Sequence, residues 1–76
     1  MNHKTYVTFG QSHVHSIAGK TFDKNTVAVI PCTDTADGRR KAFEIFGPKF
    51  CMKYFDSEFN QKWLEQYNWQ LVNIGE

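Results

Sequence analysis

The sequence predicts a small α+β domain, with a mostly antiparallel sheet and two helices packed on it in the order β-β-β-α-β-α-β. Three observations support this prediction. Short β-branched and aromatic segments dominate the first 30 residues. Residues 33–48 carry helix signals at both ends, and residues 58–67 repeat large apolar side chains every fourth position. The 76 residues contain no linker or internal repeat, which predicts one domain spanning 1–76.

Three strands are predicted in the first 30 residues. The segment TYVTF at 5–9 favours a strand, Gly10 interrupts it, and HVHSI at 13–17 resumes the same strand. Residues 20–22 are predicted to form the second strand, which runs back along the first after a tight turn. The segment TVAVI at 26–30 is apolar on both faces, which predicts a central strand of the sheet.

The first helix is predicted within residues 33–48. Thr33 or Asp34 can cap its N-terminus, because a short polar side chain accepts from the first free backbone N–H groups. Gly47 suits the left-handed position after a helix, and Pro48 cannot continue one. Before this segment, Pro31 is predicted to end the central strand.

The last third of the chain predicts a strand, a helix and a final strand. Residues 49–55 alternate so that Phe50, Met52 and Tyr54 share one face. Residues 58–67 form the second helix, and residues 69–74 close the domain as a strand.

The second helix carries Phe59, Trp63 and Tyr67 at a spacing of four residues. This spacing places the three rings on one helix face, which is predicted to pack on the sheet. Both helices are predicted to pack on the same face of that sheet.

The charge balance argues against a strongly basic nucleic-acid module. The net charge is only +1. It is unevenly distributed, because residues 1–53 hold eight Lys and Arg against four Asp and Glu, whereas residues 54–76 hold one Lys against four acids. The two parts therefore carry +4 and −3, which favours a molecule with two unlike faces.

The two cysteines predict neither a zinc site nor a disulfide framework. Cys32 and Cys51 stand 19 positions apart without a CxxC pair. Both are interpreted as small apolar side chains that fill the core. No signal peptide or long apolar run is recognisable, so we expect an intracellular protein with reduced thiols.

His13 and His15 stand two apart in the second predicted segment, which places them on one face of a strand. Two ligands can begin a metal site, and a metal-binding protein built on this pair is an open alternative. Zinc needs at least a third protein ligand, which a further His, Cys or Asp could supply only if the fold brought it close. The favoured interpretation is a solvated strand face with Val14 turned inward. The sequence also holds no catalytic motif, so we expect no enzyme, no catalytic residue, no metal and no cofactor.

The first helix is the strongest candidate for a partner-binding surface. Its candidate contacts are Arg39, Arg40, Lys41, Phe43 and Ile45. Phe43 and Ile45 lie about 160° apart around the helix axis, so one apolar stripe cannot bury both. One of them is therefore predicted near the surface, beside arginines, and this composition is typical of interface cores.

A small nucleic-acid-binding module is the alternative function. Its candidate contacts are Arg39, Arg40, Lys49 and Lys53, which together with Lys41 form the densest basic cluster of the chain. The net charge of +1 counts against this alternative.

Residues 4–55 resemble a group of short, mostly uncharacterised bacteriophage and prophage proteins. The resemblance rests on YVTFGQSHVHSIAGKTFDKNTVAVI followed by GRRKAFEIFGPKFCMKYF, and the segment from Asp56 onward departs from it. It implies a non-enzymatic phage protein that binds a host protein or ribonucleoprotein complex in the bacterial cytoplasm, without a membrane. It further implies an inhibitor of a bacterial defence system, of which anti-CRISPR proteins are the commonest kind.

Overall fold

The computed structural model describes residues 3–10, 13–17 and 19–74. Six strands and two helices succeed one another in these ranges. They are β1 His3–Thr8, β2 His15–Ile17, β3 Lys20–Phe22, β4 Thr26–Cys32, α1 Thr35–Phe46, β5 Met52–Phe55, α2 Trp63–Gln66 and β6 Gln70–Asn73.

Four of the strands form one mixed sheet in the order β5-β1-β4-β6. Strand β1 pairs antiparallel with both β4 and β5, and β6 joins parallel to β4. The parallel pair is possible because the chain between β4 and β6 is long enough to cross over. The predicted α+β class and the mostly antiparallel sheet are confirmed, and the segment 26–30 lies in a central strand as predicted.

The two helices lie on opposite faces of the sheet, so the prediction that they share one face is wrong. Ala28 and Ile30 of β4 point to the same core as Ala42 and Phe46 of α1. Val27 and Val29, which alternate with them, point to the core that includes residues of the α2 region. Because β4 is apolar at both sets of positions, it buries side chains on both faces.

The α1 face holds the larger core. Its centre is a cluster of three rings, in which Phe46 makes edge contacts with Phe9 at 4.8 Å and with Phe22 at 5.5 Å between ring centroids. Phe22 comes from β3, so the β2–β3 hairpin covers the part of this face that α1 leaves open. The buried members are Val7, Phe9, Phe22, Ala28, Ile30, Ala42 and Phe46.

The α2 face holds a smaller, aromatic core. Phe59 is buried and stacks on Tyr6 of β1, with the ring centroids 4.2 Å apart and the planes at 12°. Trp63 is only half-buried and contacts Phe59 and Tyr54 by its edge. Since α2 is a single turn, this face of the sheet is incompletely covered.

The first helix begins and ends where its sequence signals predict. Asp34 is the N-cap and accepts from the backbone N–H of Asp37 at 2.8 Å. Gly47 follows the last turn with φ of +63°, the left-handed region that favours glycine, and its N–H donates to the carbonyl of Phe43.

Several predicted elements differ from the structure. Residues 5–9 and 13–17 are not one strand, because the chain turns at Gly10 with φ of +65° and β2 pairs with β3 in a separate two-stranded sheet. Pro31 does not end the central strand, which continues to Cys32.

The second helix is four residues long instead of ten, and residues 56–58 and 61–62 form turns before it. Phe50 and Tyr54 do not share a face, since strand β5 starts only at Met52. Phe50 packs on the α1 core and Tyr54 on the α2 core.

Candidate binding surface on helix α1

Of Phe43 and Ile45, one of which the helix pattern placed near the surface, Phe43 is the exposed residue. It is 44% exposed, whereas Ile45 is half-buried against the α1 core. The physical reason is that Gly38, Ala42 and Phe46 form the face of α1 that meets the sheet. Ile45 borders that face, and Phe43 lies beyond it.

The Phe43 ring is held between two neighbours. The guanidinium carbon of Arg39 lies 5.9 Å from its ring centroid, within the range of a cation–π contact. On another side, Phe43 meets the ring of Phe50 edge-on at 5.2 Å. We call Arg39, Phe43 and Phe50 the Arg39–Phe43 patch.

Arg40 forms salt bridges with two acidic residues of its own helix. Its guanidinium donates to Asp37 at 2.6 Å and to Glu44 at 3.0 Å. These two carboxylates raise the pKa of Arg40, and the hydrogen bond to Asp37 is the largest single cause. Arg40 therefore contributes little positive charge to a partner surface.

Lys41 is likewise engaged within the molecule. Its ammonium lies 3.2 Å from the carboxylate of Asp37 and donates to the carbonyl of Pro31 at 3.0 Å. Of the five predicted partner contacts, Arg39 and Phe43 form the exposed patch, while Arg40, Lys41 and Ile45 support the helix.

Asp37 organises this end of the helix. The backbone N–H of Thr33 donates to its carboxylate at 3.0 Å, and this bond is the main reason that its pKa falls from 3.8 to about 2. Hydrogen bonds from Arg40 and Lys41 lower the pKa further, while partial desolvation opposes the shift. In the sequence, Asp37 is distinguished only as an acid in the first turn of the helix, where negative charge is favourable.

The cluster proposed for nucleic acid is spread over three elements. Arg39 and Arg40 lie on α1, Lys49 lies in the connection to β5, and Lys53 is on β5. Lys53 stands opposite Val7 in the β1–β5 register, and Val7 belongs to the α1 core, so Lys53 is on the α1 face of the sheet. Arg39, Arg40 and Lys53 thus lie on the α1 side of the sheet, and Arg40 is already paired with acids.

The prediction that Val14 points inward and that both histidines lie on a solvated face is wrong. Val14 is 68% exposed, and His15 instead packs on Phe9 and Phe46 at 5.6 and 5.0 Å between ring centroids. His15 Nε2 lies 2.6 Å from the carbonyl of Lys49, and since a carbonyl only accepts, Nε2 carries the proton. His15 thereby ties the β2–β3 hairpin to the segment before β5.

His13 precedes strand β2, so the two histidines do not form the predicted pair on one strand face. Among the residues that the structure describes, no group of three or more His, Cys, Asp or Glu side chains is placed to hold a metal ion.

The two cysteines have different environments. Cys32 is buried in β4, as predicted, and its sulfur lies 3.4 Å from the hydroxyl of Thr5. Cys51 is exposed, so its interpretation as a core side chain is wrong. It lies beside Gly10 at the end of the sheet, where its backbone N–H donates to Thr8.

None of the comparisons with known proteins relates this chain to another. No family model matches it, and no curated protein or solved structure is significantly similar to it. Within the described residues, no helix has the length and apolar character needed to cross a bilayer.

Proposed function

We propose that this protein binds a host macromolecule through the Arg39–Phe43 patch, and that it inhibits a bacterial defence system of the CRISPR type in the host cytoplasm. The observation that carries the proposal is the exposed Phe43 ring beneath the guanidinium of Arg39. Aromatic and arginine side chains dominate the centres of binding surfaces. Burial of this ring against a partner would remove further apolar area from water.

The unpaired charge of the patch favours an acidic partner surface. Arg40 and Lys41 contact Asp37, but no carboxylate within the described ranges lies at salt-bridge distance from Arg39. A cation in this position favours an approaching carboxylate or phosphate. The planar guanidinium can also remain stacked on Phe43 while it donates to such a group.

The role as a defence inhibitor rests on the resemblance of residues 4–55 to phage and prophage proteins. A short phage chain without a recognisable catalytic motif is suited to act by occupying a surface that a host complex needs. The bacterial ribonucleoprotein complexes that cut foreign DNA are the first partners to test.

The experiment uses Arg39→Glu and Phe43→Ser, each alone, with Lys62→Glu as the matched control. Lys62 is an exposed cation next to α2, on the other side of the sheet, so its reversal makes the same charge change away from the patch. Tagged protein is used to capture partners from lysates of bacteria with active CRISPR systems. The same variants are tested for protection of a targeted plasmid.

We expect the parent and Lys62→Glu to capture a partner and to protect the plasmid. Arg39→Glu and Phe43→Ser should lose both activities while their melting temperatures stay close to that of the parent. Equal binding by the folded Arg39→Glu variant would exclude the patch as the contact surface. If the parent protein protects the plasmid from none of the CRISPR systems tested, the inhibitor role is refuted.

A further inference from the structure

A groove of about 470 Å³ opens on the side of the sheet away from the Arg39–Phe43 patch. We call it the strand-end groove, because it lies where β1 ends and β4, β5 and β6 begin. The single turn of α2 leaves this region uncovered. Its wall includes Lys24, Asn25, Met52, Tyr54, Tyr67 and Trp69.

Two aromatic rings lie side by side in this groove and form a platform. Tyr67 and Trp69 lie 4.8 Å apart between ring centroids with their planes at 35°. The indole N–H of Trp69 donates to the carbonyl of Lys24 at 3.1 Å, which holds the ring against the β3–β4 turn. Tyr67 is nevertheless 51% exposed, so the platform retains a free aromatic surface.

The polar wall of the groove carries one cation, Lys24. Lys24 has no carboxylate at salt-bridge distance among the described residues, and no Asp or Glu lines the groove. Asp23, its neighbour in sequence, accepts instead from the backbone N–H of Asn25 at 2.9 Å. The side-chain amide of Asn25 makes no hydrogen bond with any described residue and lines the same wall.

We infer that the strand-end groove binds a nucleotide, with the base on the Tyr67–Trp69 platform and the phosphate toward Lys24. Aromatic side chains stack on any base, and a neighbouring cation complements the phosphate. The side-chain amide of Asn25 can both donate to and accept from a base edge. The volume lies within the usual range for small-ligand sites, about 300–1,000 Å³.

The ligand can be a free nucleotide or one nucleotide of a single strand, since both present a base and a phosphate. This inference does not rest on the proposed function, because the groove and the Arg39–Phe43 patch share no residue and lie on opposite faces of the sheet. The nucleotide-binding inference can therefore be refuted while the proposed function stands, and the proposed function can be refuted while this inference stands.

The test follows the indole N–H signals of Trp69 and Trp63 by NMR while adenosine 5′-monophosphate is added to the intact protein. Separate titrations use adenosine, ribose 5-phosphate and an eight-nucleotide single-stranded DNA. We expect adenosine monophosphate to shift the Trp69 signal more than the Trp63 signal. The dissociation constant should lie between about 10 µM and 1 mM, as for a small ligand in an open site.

The variants separate stacking from charge. Tyr67→Ala should weaken binding about fivefold or more, whereas Tyr67→Phe should bind like the parent, because stacking does not need the hydroxyl. Lys24→Gln should weaken binding of adenosine monophosphate about threefold and leave adenosine unchanged. The matched control, Lys62→Gln, should change neither.

Tighter binding of the oligonucleotide than of the mononucleotide would assign the site to single strands. Tighter binding of the mononucleotide would assign it to free nucleotides. An absence of Trp69 shifts at millimolar ligand would overturn the inference. Trp69 shifts that persist in Tyr67→Ala would place the ligand outside the Tyr67–Trp69 platform and would also overturn the inference. A protein partner that shifts Trp69 when no nucleotide does would assign the groove to that partner instead.

Discussion

Gly38 of α1 lies directly against Thr5 of β1, so closely that a Cβ on Gly38 would overlap the Thr5 hydroxyl oxygen. The same Cβ would lie 3.2 Å from the sulfur of Cys32. Thr5 and Cys32 are both buried, and the Thr5 hydroxyl lies 3.4 Å from the Cys32 sulfur, so displacing either side chain would disturb this contact. The helix can therefore approach the sheet at this point only because residue 38 lacks a side chain.

Gly38→Ala should destabilise the protein by about 1–2 kcal/mol. Alanine gains about 1 kcal/mol in helix propensity, but overpacking a close contact costs about 1–3 kcal/mol, and the Thr5 overlap is severe enough to dominate. Urea unfolding measures the difference. Ala36→Gly, at an exposed position of α1, gives the propensity contribution alone.

The double variant Thr5→Ala with Gly38→Ala should lose less unfolding free energy than the two single variants lose in sum. The reason is that Thr5→Ala removes the hydroxyl that the Cβ of residue 38 would overlap. Additive effects of the two substitutions would mean that Gly38 matters for a reason other than this contact.

Phe59 should stabilise the fold more than Trp63 does. Phe59 is 7% exposed and stacks on Tyr6, while Trp63 stays half-buried. Phe59→Ala should cost about 3–5 kcal/mol, the usual range for a buried ring, and Phe59→Leu about 1 kcal/mol. Lys62→Ala serves as the exposed control and should cost less than about 0.5 kcal/mol. A larger loss from Trp63→Ala than from Phe59→Ala would contradict the packing of the α2 face.

The carboxylate of Asp37 should stabilise the protein at neutral pH and lose this effect in acid. Its pKa is lowered to about 2 in the folded state, from an ordinary value of 3.8, so folding favours the charged form. The contribution is therefore complete above about pH 4 and disappears as the pH falls toward 2.

Thermal melts of the parent and of Asp37→Asn should show this directly. The parent should melt at a higher temperature at pH 7, and the difference should shrink between pH 4 and pH 2. Glu44→Gln is the matched control, because Glu44 contacts Arg40 on an exposed surface and should show a smaller difference. A difference that is constant from pH 7 to pH 2 would mean that the charge of Asp37 does not matter.

The two adjacent arginines should respond differently to charge reversal. Arg40→Glu would place an acid between Asp37 and Glu44, so it should lower the melting temperature. Arg39→Glu loses only the contact with Phe43 and should leave the melting temperature nearly unchanged. For this reason Arg39→Glu tests binding without the loss of stability that reversal of Arg40 would add. Equal melting temperatures of the two variants would show that the Arg40 pairs contribute nothing.

His15 should stabilise the hairpin, whereas His13 should not. His15→Ala removes a 2.6 Å hydrogen bond to Lys49 and ring contacts with Phe9 and Phe46. The expected loss is about 1–2 kcal/mol. His13 makes no hydrogen bond or ring contact with the described residues, so His13→Ala should cost less than about 0.5 kcal/mol. Chemical denaturation of both variants checks this, and equal losses would contradict the placement of His15.

The amino-acid sequence determined the elements whose information is local. Asp34, Gly47 and Pro48 mark the ends of α1, because capping and left-handed positions depend on a few neighbouring residues. The apolar run 26–30 indicated a strand buried on both faces. The angle between Phe43 and Ile45 showed that one of them must reach the surface, since helix periodicity alone fixes that angle.

The tertiary structure decided which surface each element meets. The opposite placement of α1 and α2, the turn at Gly10 and the inward position of His15 all depend on contacts between residues distant in sequence. Periodicity gives the relative directions of side chains along one element, but not the neighbour they face. It therefore could not show that Phe43 is the exposed residue, that acids occupy Arg40, or that Tyr67 and Trp69 line a groove with Lys24, because each depends on how separate elements pack together.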